Sequence, residues 1–104
     1  MKGGVSMARW LYELSNSDLL RDAEEREEYL GALLVCWNEV VDLFPDDDYI
    51  KREYDDATDE IENCSSQLEQ YDDEDTHEYV DETIDELLSD FYDVCDSYRI
   101  WVKP

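Results

Sequence analysis

The residues with the most chemical potential in this chain are carboxylates, and they are concentrated in one stretch. Between Glu53 and Tyr98 there is no Lys or Arg, and twelve of the twenty-five residues from Asp72 to Asp96 are acidic. Carboxylates in such numbers can bind cations, transfer protons, or face a basic partner. Like charges at this density are typical of disordered chains, because they repel one another and are well solvated.

Catalysis and dedicated metal binding both lack the residues that they need. His77 is the only histidine, it is predicted to lie at a helix start among carboxylates, and we interpret it as a solvated surface residue. Glu74 and His77 have the Glu-x-x-His spacing of a di-iron bundle, but that site requires two such motifs. No acidic run is followed by the glycine of an EF-hand loop. We therefore predict no enzyme activity, no metal site and no cofactor.

The three cysteines, Cys36, Cys64 and Cys95, have no metal-ligand spacing. Two of them lie on or beside apolar stripes, which favours buried free thiols that behave as small apolar groups. Free thiols and the lack of a signal peptide predict a reducing, cytoplasmic setting, which would be the host cytoplasm for a phage-encoded protein.

Apolar residues within the acidic stretch recur in alternating steps of four and three, the spacing of a helix with one buried face. The first stripe comprises Ile50, Tyr54, Ala57, Ile61, Cys64, Leu68 and Tyr71, and the second comprises Val80, Ile84, Leu87, Phe91, Val94, Tyr98 and Trp101. The acids mostly fall on the opposite side of each helix. The stretch therefore predicts two folded helices whose outer faces are almost entirely carboxylate.

The remaining elements follow from turn and capping residues. We predict a short helix over Met7–Leu14 after a mobile lead-in at residues 1–6, and a central helix over Asp18–Phe44 that Pro45 ends. A third helix follows Asp46–Asp48 and runs to about Tyr71. A fourth, capped by Asp75 or Thr76, ends near Tyr98. Arg99–Val102 could either finish that helix or form an extended tail.

Short turns force neighbouring helices to run in opposite directions. The expected fold class is therefore all-α: a small antiparallel helical bundle of three long helices plus a short N-terminal helix. With 104 residues the chain is long enough for one core, so residues 1–104 are expected to form a single acidic helical domain. Whether it is a monomer or a dimer stays open.

The formal net charge of −23 limits the possible partners. Direct binding to nucleic acid or to an anionic membrane is not expected, because no basic face exists to neutralise phosphates. A basic nucleic-acid-binding protein or complex is the partner that this charge favours. Adaptation to a salt-rich cytoplasm is an alternative, although it should acidify the whole surface rather than one stretch.

The spacing of the acids also resembles that of a nucleic acid. At about 1.5 Å rise per residue, the acids from Asp72 to Asp96 supply on the order of one charge per 3 Å, and one DNA strand carries one per about 3.4 Å. With carboxylate-faced helices over Asp55–Glu62 and Glu78–Asp96, the chain resembles the nucleic-acid-mimic proteins that phages and mobile elements use against host defence. That resemblance implies an inhibitor that occupies the basic channel of a restriction enzyme or a CRISPR–Cas effector complex.

The candidate partner-binding surface joins the acids of the fourth helix and its preceding turn to part of the third helix, with one tyrosine at its edge as an anchor. Its residues are Asp55, Asp56, Asp59, Asp72, Asp73, Glu74, Asp75, Glu78, Tyr79, Glu82, Asp85 and Glu86. Two alternatives are an immunity protein or antitoxin that neutralises a basic nuclease toxin, and a halophilic or chaperone-like acidic module.

Overall fold

The computed structural model describes residues 10–102, of which 75% are helical. In chain order the elements are β1 (Tyr12–Glu13), α1 (Asp18–Asp22), α2 (Arg26–Leu43), α3 (Asp48–Gln70), α4 (Glu74–Ser97) and β2 (Ile100–Trp101). The three long helices all pack against one another. This content confirms the expectation of a mostly helical fold, and the predicted mobile lead-in at residues 1–6 lies outside the described residues.

Aspartates begin both acidic helices. The Asp47 side chain accepts a hydrogen bond from the Ile50 backbone N–H at the start of α3, as the Asp46–Asp48 run predicts. The Asp73 side chain accepts from the Thr76 N–H at 2.8 Å at the start of α4. Side-chain oxygens at these positions satisfy backbone donors that have no partner within the helix. The predicted caps Asp75 and Thr76 are therefore wrong, since both lie inside the first turn.

The core forms around α2. Leu33, Cys36, Trp37 and Val40 of this helix are fully buried, and the Trp37 ring meets Phe91 of α4 edge-on at 5.2 Å. The stripe residues of α3 and α4 supply most of the remaining core. Tyr71, which is expected on the buried stripe of the third helix, is instead about half exposed. It lies at the end of α3, beyond the last turn that packs against the other helices.

Aromatic side chains cluster where α2 ends, α3 begins and α4 ends. The Phe44 ring lies between Tyr12 and Tyr98, with ring centroids 5.0 and 4.9 Å away. The Tyr98 hydroxyl donates to Asp47 at 2.9 Å, and the Tyr49 ring stacks on Tyr98. We call Tyr12, Phe44, Tyr49 and Tyr98 the aromatic pole.

The predicted helix over Met7–Leu14 is wrong in its described part. Tyr12 and Glu13 form β1, which pairs in parallel with Ile100 and Trp101 of β2. The Arg99 carbonyl accepts from the Leu11 N–H at 2.8 Å, so backbone groups at this point are paired across the fold rather than within a helix. Arg99–Val102 adopts the extended alternative, following a left-handed backbone conformation at Arg99, with φ of 59°. Residues 7–9 lie outside the described part.

The single helix expected over Asp18–Phe44 is interrupted. Ala23 is extended, which ends α1, and α2 begins after Glu25. The Glu25 side chain accepts from the Glu28 backbone N–H, while the Glu28 side chain accepts from the Glu25 N–H at 3.0 Å. This reciprocal capping box starts a new helix after Glu25, and glutamate is not a common N-cap residue. The sequence pattern therefore predicted one continuous helix across this position.

Candidate functional site

The predicted partner-binding surface centres on α4, whose acids lie on its outward side. All ten acids of this helix are exposed, while Val80, Ile84, Leu87 and Phe91 on the opposite side are buried. Six of them belong to the predicted surface: Glu74, Asp75, Glu78, Glu82, Asp85 and Glu86. We call the ten acids of α4 the acidic ridge. The expected separation of apolar and carboxylate faces is confirmed on this helix.

The turn before α4 has both a structural and an electrostatic role. The Thr76 hydroxyl and backbone N–H both hydrogen-bond Asp73 and hold the pKa of its carboxyl below the usual value. Glu74 and Asp75 occupy the first turn, where negative charge is stabilised by the helix dipole. Asp72 is almost fully exposed and lies 3.2 Å from His77 Nε2. The start of α4 therefore determines the positions of the predicted residues in this turn.

Tyr79 is 44% exposed at one edge of the ridge. Its hydroxyl accepts a hydrogen bond from Asn63 Nδ2 of α3 at 2.8 Å. This contact fixes the ring between the two acidic helices, so the side chain needs little further ordering on binding. The position is consistent with its predicted role as an anchor.

On one side of the ridge, α3 and α4 enclose an acidic groove of about 390 Å³. Its lining residues are Trp37, Glu53, Asp56, Ala57, Asp59, Glu60, Leu87 and Asp90. The pKa of Glu60 is raised, first by burial and then by the nearby charges of Glu86, Asp90 and Asp56. Like charges therefore face one another across this groove, and its lining residues include no Lys or Arg.

Of the three α3 residues predicted to extend the surface, Asp56 and Asp59 line the acidic groove. Asp55 is exposed but is not among the lining residues. At about 100° per residue, Asp55 lies about 100° from Asp56 around α3 but only about 40° from Asp59. The structure thus places two of the three in the acidic groove, and the third is exposed on the same helix beside Asp59.

On the other side of the ridge lies a second and larger groove of about 840 Å³, where α2 begins, α3 ends and α4 begins. We call it the amphipathic groove, because it combines apolar side chains with acids. Its lining residues are Glu24, Glu25, Arg26, Glu27, Tyr29, Leu68, Asp72, His77, Asp81, Ile84, Asp85 and Leu88. Arg26 forms a two-pronged ion pair with Asp81, at 2.7 and 2.9 Å. Asp72 and Asp85 are the predicted residues that belong here.

Several acids in the two grooves escaped the sequence-based prediction. Glu53, Glu60 and Asp90 complete the acidic groove, and Glu24, Glu25 and Glu27 at the start of α2 enter the amphipathic groove. The steps of three and four that join Glu53, Asp56 and Glu60 place them along one side of a helix and could have revealed the first group. The second group depends on how α2 packs, which no local pattern encodes.

The cysteines lie in the core as free thiols, as expected. Burial raises the pKa of Cys36 to about 11 and that of Cys95 to about 12. Thiols this far from ionisation are poor nucleophiles and poor metal ligands at neutral pH. Across residues 10–102, no three acidic, cysteine or histidine side chains are arranged so as to hold a metal ion.

Comparison with protein-family models, curated proteins and solved structures gives no match. Within residues 10–102, no helix combines the length and apolar content required to cross a membrane. The acidic ridge and its two flanking grooves, through their geometry and charge, are therefore the features that bear on function.

Proposed function

We propose that this protein is a nucleic-acid-mimic inhibitor. It would bind the basic DNA- or RNA-binding surface of a host defence complex, either a CRISPR–Cas effector or a restriction enzyme, in the host cytoplasm. The observation that carries the proposal is the acidic ridge, in which ten exposed carboxylates follow one 24-residue helix. The proposal assigns no catalytic step and no cofactor to the protein.

The linear charge density of the ridge supports mimicry. A 24-residue helix is about 36 Å long at 1.5 Å per residue, so ten acids give roughly one charge per 3.6 Å. A strand of duplex DNA has one phosphate per about 3.4 Å. Arg and Lys side chains spaced to hold phosphates would therefore meet carboxylates at similar intervals, and would form charge-assisted hydrogen bonds with them.

The proposal takes the three long helices as an antiparallel bundle. Two contacts support this arrangement for α3 and α4: Asn63 near the end of α3 bonds Tyr79 near the start of α4, and Asp47 before α3 bonds Tyr98 after α4. Helices packed in this way hold the ridge straight. A rigid acidic surface loses little conformational entropy on binding, which favours competition against a stiff duplex.

The proposal is tested by inhibition of DNA cleavage. Purified protein is titrated into plasmid-cleavage reactions of a panel of restriction enzymes and CRISPR–Cas effectors at about 0.1 M salt, where electrostatic attraction is only partly screened. We expect at least one enzyme to be inhibited, and labelled duplex DNA to be displaced from that enzyme as the protein is added. Inhibition should weaken steeply as salt rises.

A matched pair of variants tests the location of the site. The ridge variant carries Glu78→Lys, Glu82→Lys and Asp85→Lys, and the control carries Glu13→Lys, Asp42→Lys and Asp46→Lys, all exposed acids outside α4. Each change of three acids to lysine raises the net charge of −23 by six, to −17. Only the ridge variant should lose inhibition, with its helical circular dichroism unchanged. Equal loss in both variants, or no displacement of DNA by the unmodified protein, would rule the proposal out.

A second candidate, an immunity protein or antitoxin against a basic nuclease toxin, is favoured by three exposed tyrosines. Tyr49, Tyr79 and Tyr92 are each 43–45% exposed. Tyrosine is a common anchor in tight protein interfaces. Such a protein would inhibit one nuclease only and would lose affinity when Tyr79 or Tyr92 is changed to alanine, whereas a mimic should depend mainly on its acids.

A further inference from the structure

The amphipathic groove has two features that a phosphate-like surface does not need. Its floor is apolar, with Ile84 buried and Tyr29, Leu68 and Leu88 partly buried against the core. Its rim is acidic and comprises Glu24, Glu25, Glu27, Asp72 and Asp85. A guanidinium or ammonium group is attracted by the charges of the rim, but contact with the floor adds little to its binding free energy. An apolar side chain binds favourably to the floor, because its burial removes apolar surface from water.

Carboxylates of the rim are available to bind further cationic groups. Arg26 is the one Lys or Arg that lines the groove, and it is already paired with Asp81. The side chains of Glu24, Glu27 and Asp85 have no hydrogen-bond or ion-pair partner elsewhere in the described chain. A ligand would therefore bring its own positive charges, and it would meet free carboxylates on at least two sides of the groove.

We propose that the amphipathic groove binds a cationic amphipathic peptide segment of a partner protein. An apolar side chain of the segment would lie on the floor between Leu68 and Leu88, and flanking Lys or Arg side chains would pair with the rim. The charge complementarity of the rim identifies the occupant as basic, and the floor identifies it as a protein segment that also carries an apolar side chain. This inference goes beyond mimicry and does not depend on it.

Two labelled synthetic peptides of equal positive charge test the groove. One places leucines at helical spacing among lysines, and the other has serine at each leucine position. Fluorescence anisotropy at about 0.15 M salt should show the leucine peptide binding at least roughly tenfold more tightly, the effect of burying about one leucine side chain. The ratio should persist at about 0.5 M salt, because apolar contacts are not screened.

Substitutions in the protein test whether the leucine peptide binds in the amphipathic groove. Leu68→Gln with Leu88→Gln should bring the leucine peptide to the affinity of the serine peptide. The matched control is Leu11→Gln, which changes a leucine that is 64% exposed and outside the groove. The Leu11→Gln variant should preserve the tenfold difference in affinity between the two peptides. Glu27→Gln with Asp85→Asn should weaken both peptides by a similar factor, since both use the rim.

A measurement on the unmodified protein covers the case in which the leucine variants do not fold. In methyl nuclear magnetic resonance spectra, the leucine peptide should shift the signals of Leu68 and Leu88 and leave that of Leu11 in place.

Equal affinity for the two peptides, or shifts that avoid Leu68 and Leu88, would overturn the inference. If the two peptides differ in affinity as expected but no nuclease is inhibited, the result supports peptide binding in the groove and contradicts nucleic-acid mimicry. If a nuclease is inhibited but the peptides bind equally, the result supports mimicry and contradicts peptide binding in the groove.

Discussion

Carboxylates that face one another across the acidic groove work against folding at neutral pH. Burial and the charges of Glu86, Asp90 and Asp56 raise the pKa of Glu60, so the folded protein holds that proton more tightly than the unfolded chain does. A group with a raised pKa in the folded state contributes its full stability below its unfolded value of 4.5, and that contribution is lost as the pH rises through its folded value. At pH 7 the charged Glu60 therefore opposes folding.

Replacing Glu60 by Gln should stabilise the protein at pH 7. The exposed side chain limits the gain in melting temperature to roughly 2 °C, because solvent screens the repulsion. At pH 4 the difference from the unmodified protein should shrink, since Glu60, whose pKa is raised above 4.5, is then largely protonated. Melting curves followed by circular dichroism at both pH values measure the effect.

Glu62→Gln is the matched control for this prediction, because Glu62 is exposed on the same helix and does not line the acidic groove. It should change the melting temperature by less than Glu60→Gln. An unchanged or lower melting temperature for Glu60→Gln at pH 7 would show that the carboxylates do not repel as described.

At the scale of the helices, Gly31 in α2 has no structural role that requires glycine. Glycine inside a helix can permit a close approach by a neighbouring segment. Gly31 is instead exposed within an uninterrupted helix, and a Cβ atom added there would meet nothing within 4 Å. Its φ angle is negative, so an L side chain is accommodated without strain. Glycine here only adds conformational freedom to the unfolded chain.

Gly31→Ala should therefore stabilise the protein by about 0.5–1 kcal/mol and raise its melting temperature by a few degrees. Urea unfolding monitored by circular dichroism measures the free energy. Ser66→Ala, at an exposed position inside α3, serves as a control and should gain less, since serine costs a helix less than glycine does. A loss of stability in Gly31→Ala would indicate a close contact on this face of α2.

Local patterns predicted the parts of the fold that local forces determine. The stripes through Ile61 and Phe91 identified α3 and α4, because a period near 3.6 residues follows from helix geometry. The break at Ala23 and the pairing of Tyr12 with Ile100 were missed. The first depends on two glutamates that cap each other, and the second joins backbone groups far apart in the sequence. Within the candidate site, the ridge was predicted, but the grooves required knowledge of which helices are neighbours.

At the scale of the whole molecule, the net charge of −23 must be outweighed by one core. Cations screen repulsion between exposed carboxylates over distances of about 10 Å at 0.1 M salt. The melting temperature should therefore rise by several degrees between about 0.05 and 0.5 M sodium chloride, as expected for a compact state opposed by self-repulsion. Differential scanning calorimetry over this range measures the rise.

The Glu13→Lys, Asp42→Lys and Asp46→Lys variant provides the comparison for this prediction. With its net charge reduced in magnitude, it should gain less from added salt than the unmodified protein. A melting temperature that is independent of salt would mean that the charges are already compensated. Such a result would also weaken the alternative that the acidity is an adaptation to a salt-rich cytoplasm.

The pairing of β1 with β2 has a practical consequence. It places Tyr12 beside Ile100 and Glu13 beside Trp101 near the aromatic pole, whereas the amphipathic groove lies where α4 begins. A dye or surface tether attached at the exposed Glu13 would join the molecule near that pole. On a biosensor chip, a protein anchored in this way would present its groove and most of its ridge to the solution.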